Sequence, residues 1–153
     1  MMRSSEDAEM STDKGDETRS DALVFFGATG DLAHKKIFPA LYAMAKHKAL
    51  AVPLIGVAAP PWTLAHLRKH AADSIEEAGT IDNRAALRHL LARMQYVGGD
   101  YNDPATFIAL KQALGDARRP AHYLAIPPSL FGTVIKGLGA SGLAEQARII
   151  VEK

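Results

Sequence analysis

Cysteine is absent from the 153 residues, so the chain has no disulfide, no thiolate metal site and no cysteine nucleophile. Redox chemistry here requires a bound cofactor. Also missing is any apolar run near the ~20 residues that a membrane-spanning helix needs. The start of the chain is too polar and acidic for a secretory signal. Both absences predict a cytoplasmic protein with no membrane partner. Charge of one sign is lacking too, with 18 Lys and Arg against 17 Asp and Glu. That balance gives no electrostatic footprint for nucleic acid.

What is present has the composition of a soluble globular domain, 48% hydrophobic and 23% charged. A domain of about 150 residues buries roughly 70% of its unfolded surface, enough for a single core. Residues 1–20 differ from the rest: six acids, three bases and almost nothing apolar. Such a segment cannot offset its own ordering entropy, so it is predicted to be a disordered acidic tail. The remaining residues, 21–153, carry 15 bases and 11 acids, a mildly positive balance that suits a phosphate-bearing ligand.

From Ala22 onward, short β-branched or aromatic runs alternate with longer stretches of helical periodicity. This is the pattern of a parallel sheet covered by helices. The expected strands are Ala22–Phe26, Val52–Val57, Met94–Val97, His122–Ile126 and Ala147–Val151. Most lack polar alternation, as strands buried on both faces should. Leu32, Ile37, Phe38, Leu41, Tyr42 and Ala45 form the apolar stripe of the first crossover helix, where Pro39 must kink the helix or mark its first main turn. Thr63 is the expected cap of a helix over Leu64–Glu77, and Asp82 that of Asn83–Arg93. Asp103 with Pro104 starts another, and Pro128 opens a last helix through Leu138. The predicted fold is an α/β, Rossmann-like, doubly wound parallel sheet of five strands in the order 3-2-1-4-5.

The most informative stretch runs ALVFFGATGDLA, a buried strand entering a glycine turn and then a helix. A glycine there can take positive φ and let backbone N–H groups approach a pyrophosphate at the positive end of the helix. Gly27 and Gly30 are assigned to that task, Thr29 adds a hydroxyl donor, and Ala33 allows close packing of helix on strand. A tight turn without chemical purpose would use the same two glycines; the flanking strand and helix favour a nucleotide.

GATGDLAHKKIFPAL, residues 27–41, resembles the phosphate loop of the glucose-6-phosphate dehydrogenases. Tyr101-Asn-Asp-Pro, HYLAIPPSLF over 122–131 and RIIVEK over 148–153 follow in that family's order. The resemblance implies NADP bound across the carboxyl ends of the first and fourth strands. Gly27, Ala28, Thr29, Gly30, Asp31, Leu32, Ala33 and His34 would hold the pyrophosphate. Asp100 and Tyr101 would border the adenosine, and Tyr123 would line the cleft. Lys36 would contact cofactor or substrate phosphate, and Lys153 would lie between nicotinamide and sugar phosphate. The resemblance also implies a homo-oligomeric whole enzyme in the pentose phosphate pathway.

Two departures stand out. The family's cation for the NADP 2′-phosphate falls at or beside Ala59, so weaker NADP preference or dual specificity, with NAD also accepted, is expected unless Arg68 or Lys69 reaches in. The family's basic histidine lies in a segment this chain does not contain, and without it and the second domain glucose 6-phosphate has neither base nor opposite wall. The 153 residues alone are therefore expected to be inactive. A stand-alone dinucleotide-binding module and a non-enzymatic interaction fragment remain open. Tyr42 and Lys46 have the spacing of a short-chain-dehydrogenase pair, but they sit on the first helix, far from where that pair belongs. His66 and His70, with Asp73, are read as surface groups rather than metal ligands.

Overall fold

A computed structural model describes residues 19–47 and 50–151, so Lys153 and nearly all of the expected acidic tail lie outside the described residues. Five strands are present: β1 (Ala22–Phe26), β2 (Leu54–Ala58), β3 (Met94–Gly98), β4 (Pro120–Leu124) and β5 (Arg148–Val151). All pair in parallel, in the order β3-β2-β1-β4-β5. The helices are α1 (Phe38–Lys46), α2 (Leu64–Ala78), α3 (Arg84–Ala92), α4 (Pro104–Leu114) and α5 (Phe131–Ala140). This is the doubly wound sheet expected from the alternating pattern.

The two faces of the sheet nucleate separate cores because successive strand residues point to opposite sides. Phe25 and Leu54 pack with Phe38, Leu41, Leu67 and Leu90 beneath α1, α2 and α3. Val24, Phe26, Ile55 and Val57 pack with Phe107, Leu110, Val134 and Leu138 beneath α4 and α5. Central β1 and β2 are buried on both faces, whereas edge strand β5 keeps its apolar Ile149, Ile150 and Val151 exposed. Gly137 lets α5 close on α4, since a Cβ there would run into the Phe107 ring.

Local signals account for most helix starts. Thr63 caps α2 by accepting the His66 N–H at 3.1 Å, and Asp103 caps α4 by accepting that of Ala105 at 2.9 Å. Residues 31–46 are continuously helical, with a π-helical turn over Ala33–Ile37 leading into α1. Pro39 lies two residues beyond that π-helical turn and inside the continuous helix, so its missing N–H leaves one helical hydrogen bond unmade next to the irregular turn.

Several boundaries differ from the sequence expectation. Asn83, not Asp82, caps α3 by accepting the Ala86 N–H at 3.0 Å. Asp82 is engaged instead by the Tyr42 hydroxyl at 3.0 Å and by Lys46 at 3.2 Å. β4 runs Pro120–Leu124 rather than His122–Ile126, because pairing along β1 fixes Ala22 opposite Pro120 and Phe26 opposite Leu124. β2 begins at Leu54 rather than Val52, after Pro53, which has no N–H to donate. β3 extends one residue to Gly98, paired with Ala58. β5 starts at Arg148, since Ala147 still donates to Ala144 within a turn that contains Gln146 at φ 59°. A short 3-10 turn, Pro128–Leu130, precedes α5.

Candidate functional site

Sheet order reverses between β1 and β4, and a crevice at the carboxyl ends of such strands is where open α/β sheets take their ligands. Gly27 follows β1 there with φ at 85°, a left-handed conformation that side chains disfavour. A Cβ on Gly27 would collide with the carbonyl of Ala125, the residue after β4. The Gly27 N–H donates to the Val57 carbonyl at 2.8 Å and to the Tyr101 hydroxyl at 2.9 Å. Tyr101 in turn donates to Val57 O at 3.2 Å. The loop therefore hangs from the ends of three strands at once: β1 through the chain, β2 through Val57, and β4 by contact.

Gly30 differs from Gly27. Its φ is not positive, its N–H donates to Gly27 O at 2.9 Å, and an added Cβ would meet only that carbonyl, at 3.4 Å. The protein thus leaves open space above Gly30. The first bond of the following helix runs from the His34 N–H to Gly30 O at 3.1 Å. The amides of Asp31, Leu32 and Ala33 precede it and have no earlier helical carbonyl to meet. Open space, first-turn amides and the Thr29 hydroxyl together fit a diphosphate. Ala28 and Ala33 are fully buried. Ala28 packs so close to β2 that a Cβ on Gly56 would come within 2.9 Å of its own. Gly56 is a requirement of the loop that sequence reading missed.

The other expected residues fall in varied places. His34 turns its ring toward α2: Nε2 lies 3.0 Å from Glu77 Oε2, and the ring centre is 4.7 Å from that of His70. The Ser74 hydroxyl donates to the His34 carbonyl, a contact with no signal in the sequence. Asp100 folds the turn after β3, accepting the Asn102 N–H at 2.8 Å, while its carbonyl accepts from Thr106 at 2.7 Å. Tyr101 lies beneath the loop, and burial pushes its hydroxyl up to about 12. Tyr123 lies in β4 between Phe25 of β1 and Ile150 of β5, half-buried against the first core. Lys36 is exposed on the π-helical turn.

Ala59 is exposed directly after β2. Of the two cations on the next helix, Arg68 Nε donates to Leu91 O at 2.9 Å, and Lys69 pairs with Asp73 at 2.8 Å. Tyr42 and Lys46 tie α1 to the start of α3 through Asp82, with Lys46 Nζ 4.9 Å from the Tyr42 ring centre. Tyr42 also accepts the Asn83 N–H at 2.9 Å, so the pair has a packing role. His70 turns into the interior instead of joining His66 and Asp73, and among the described residues no group of three His, Asp or Glu could hold a metal ion. No described helix is long and apolar enough to cross a membrane.

Known proteins are similar to this chain in sequence and fold. Residues 24–153 match the family described as glucose-6-phosphate dehydrogenase, NAD binding domain. Glucose-6-phosphate 1-dehydrogenase 1 of Mycobacterium tuberculosis is 41% identical over 134 residues, covering 88% of this chain and 28% of the relative. The enzyme of Dickeya dadantii is 35% identical, with 86% and 28% covered. A crystal structure of glucose-6-phosphate 1-dehydrogenase from Mycobacterium avium superposes with a TM-score of 0.84 at 40% identity, over 88% of this chain and 30% of that one. A glucose-6-phosphate dehydrogenase in complex with its substrate superposes with a TM-score of 0.74 at 26% identity, over 86% and 30%. The chain thus spans less than a third of the length of these relatives. By its sequence and its fold, the chain belongs to the family of glucose-6-phosphate dehydrogenase NAD-binding domains.

Proposed function

We propose that this chain binds the nicotinamide dinucleotide, NADP or NAD, that accepts a hydride from C1 of glucose 6-phosphate as 6-phosphogluconolactone forms. One observation carries the reading. The Gly27 loop turns through positive φ at the switch point and is held there by Tyr101, Val57 and Ala125, with first-turn amides and open space above Gly30.

When bound, the cofactor supplies the hydride acceptor. The chain's own contribution is to hold and orient it. Loop amides and Thr29 bind the pyrophosphate, the turns after β2 and β3 flank the adenosine, and Lys36 faces phosphate of cofactor or substrate. Lys153 contributes beside the nicotinamide. The base for the C1 hydroxyl is read as lying outside these 153 residues, as the family resemblance implies, so the chain alone binds dinucleotide without oxidising sugar phosphate. Glucose 6-phosphate is taken up only together with the further domain that the relatives' length implies, in a cytoplasmic homo-oligomer.

Isothermal titration of the chain with NADP and with NAD tests this. Binding of either, lost in Gly27→Val, supports the reading; absence of binding to both refutes it.

A further inference from the structure

The bond that Pro39 leaves unmade in the helix after the phosphate loop can be traced to one carbonyl. In the π-helical turn Ala33–Ile37 the bonds follow the i→i+5 pattern, and the Phe38 N–H donates to the Ala33 carbonyl. The His34 carbonyl comes next. Its α-helical partner would be the same Phe38 N–H, which is already committed, and its π-helical partner would be the N–H of residue 39. Residue 39 is proline and has none. A carbonyl orphaned in this way inside a packed layer needs a donor from elsewhere.

α2 supplies it. Ser74 is 2% exposed, and its hydroxyl donates to the His34 carbonyl across 40 residues of sequence. One turn further along α2, the Glu77 carboxylate lies 3.0 Å from His34 Nε2. Backbone and side chain of His34 are therefore both gripped by the same helix. His34 is also the residue whose N–H closes the phosphate loop, onto Gly30 O at 3.1 Å.

We propose that Ser74 is a positioning residue for the dinucleotide: its hydroxyl replaces the amide hydrogen that Pro39 lacks and so holds the helix start whose first amides face the space over the loop. The inference rests on the dinucleotide reading above and adds a residue outside the loop, in contact with no ligand, on which that binding depends. A buried serine that only filled space would give way to alanine at little cost. Here alanine leaves the His34 carbonyl without a donor. The π-helical turn can satisfy that carbonyl only by moving, and the amides of Asp31, Leu32 and Ala33, one turn earlier, move with it. Lys36, exposed on the same turn, shifts as well.

Dissociation constants for NADP and NAD, together with urea midpoints, are measured on the 153-residue chain for the native sequence, Ser74→Ala, Pro39→Ala and the double variant. Pro39→Ala returns an N–H at position 39, the partner that the i→i+5 pattern assigns to the His34 carbonyl. Ser74→Ala is expected to weaken dinucleotide binding by about five- to tenfold in the native background and by under about twofold in the Pro39→Ala background. The urea midpoints show the same asymmetry, and the amide introduced at position 39 exchanges slowly in the double variant. Equal losses in the two backgrounds overturn the pairing of Ser74 with Pro39. Native-like affinity in Ser74→Ala, with only the urea midpoint lowered, overturns the positioning role and leaves the hydroxyl to the fold alone. Failure of all four proteins to bind either dinucleotide overturns the binding reading and the positioning role with it, while the urea midpoints still read whether Ser74 and Pro39 are coupled.

Discussion

The Tyr101 hydroxyl accepts the Gly27 N–H at 2.9 Å across 74 residues of sequence, which makes a side chain after β3 a fixed prop of the loop after β1. Tyr101 also donates to Val57 O and packs edge-on to Phe26, ring centres 5.8 Å apart. Tyr101→Phe keeps the ring contact and removes both hydrogen bonds. The expected loss is about 1–2 kcal/mol in urea unfolding, with weaker dinucleotide binding.

Tyr101 also sets an alkaline limit. Burial raises its hydroxyl to about 12, above the ordinary 10, so the folded state resists ionisation that the unfolded chain permits. Its contribution is fully present below about pH 10 and is lost as pH rises from there toward 12. Thermal melts between pH 9 and 12 should fall more steeply for the native chain than for Tyr101→Phe. Parallel curves contradict the assignment.

Gly27→Ala combines a positive φ with a Cβ driven into the Ala125 carbonyl. Backbone must shift, at an expected cost of about 2–4 kcal/mol, and dinucleotide binding should vanish. Gly30→Ala, whose Cβ meets only Gly27 O at 3.4 Å, should fold with near-native stability and still bind poorly, because its methyl enters the space over the loop. Circular dichroism melts and titration calorimetry separate the two outcomes.

Ala59→Arg restores a guanidinium after β2. NADP binding should tighten by about tenfold or more, with NAD unchanged, measured as the ratio of dissociation constants. An unchanged ratio would place the 2′-phosphate elsewhere.

His122 predicts acid sensitivity. It is fully buried in β4, its Nε2 lies 3.0 Å from Leu143 O, and burial holds it below the ordinary imidazole range. The folded state keeps it neutral while the unfolded chain protonates. Stability is thus complete above about pH 6.5 and declines as pH falls below that value. His122→Gln retains a donor for Leu143 and does not titrate, so its urea midpoint should change less between pH 7 and 5.

Local chemistry made much of this fold legible. β1 has the expected bounds because an apolar run ends abruptly at a glycine, and α2 and α4 start where Thr63 and Asp103 announce them. The strand order follows from the alternation and the handedness of crossovers. What escaped was decided by distant partners. β4 lies two residues earlier than its apolar run suggests because β1 fixes its register. Asp82 is a good capping residue in isolation, yet Tyr42 and Lys46, some forty residues away, claim it and leave α3 to Asn83. At the candidate site, the turn after β1 and the positive φ of Gly27 were readable from the glycine pattern. The Tyr101 prop was not, since it depends on a side chain brought to the loop only by the sheet.

Calorimetric titration of the purified chain with NADP and NAD, alongside Gly27→Val, tests the central claim most directly. Saturable one-to-one binding of a dinucleotide, abolished by the substitution, is the predicted result. A folded chain that binds neither dinucleotide would contradict the claim.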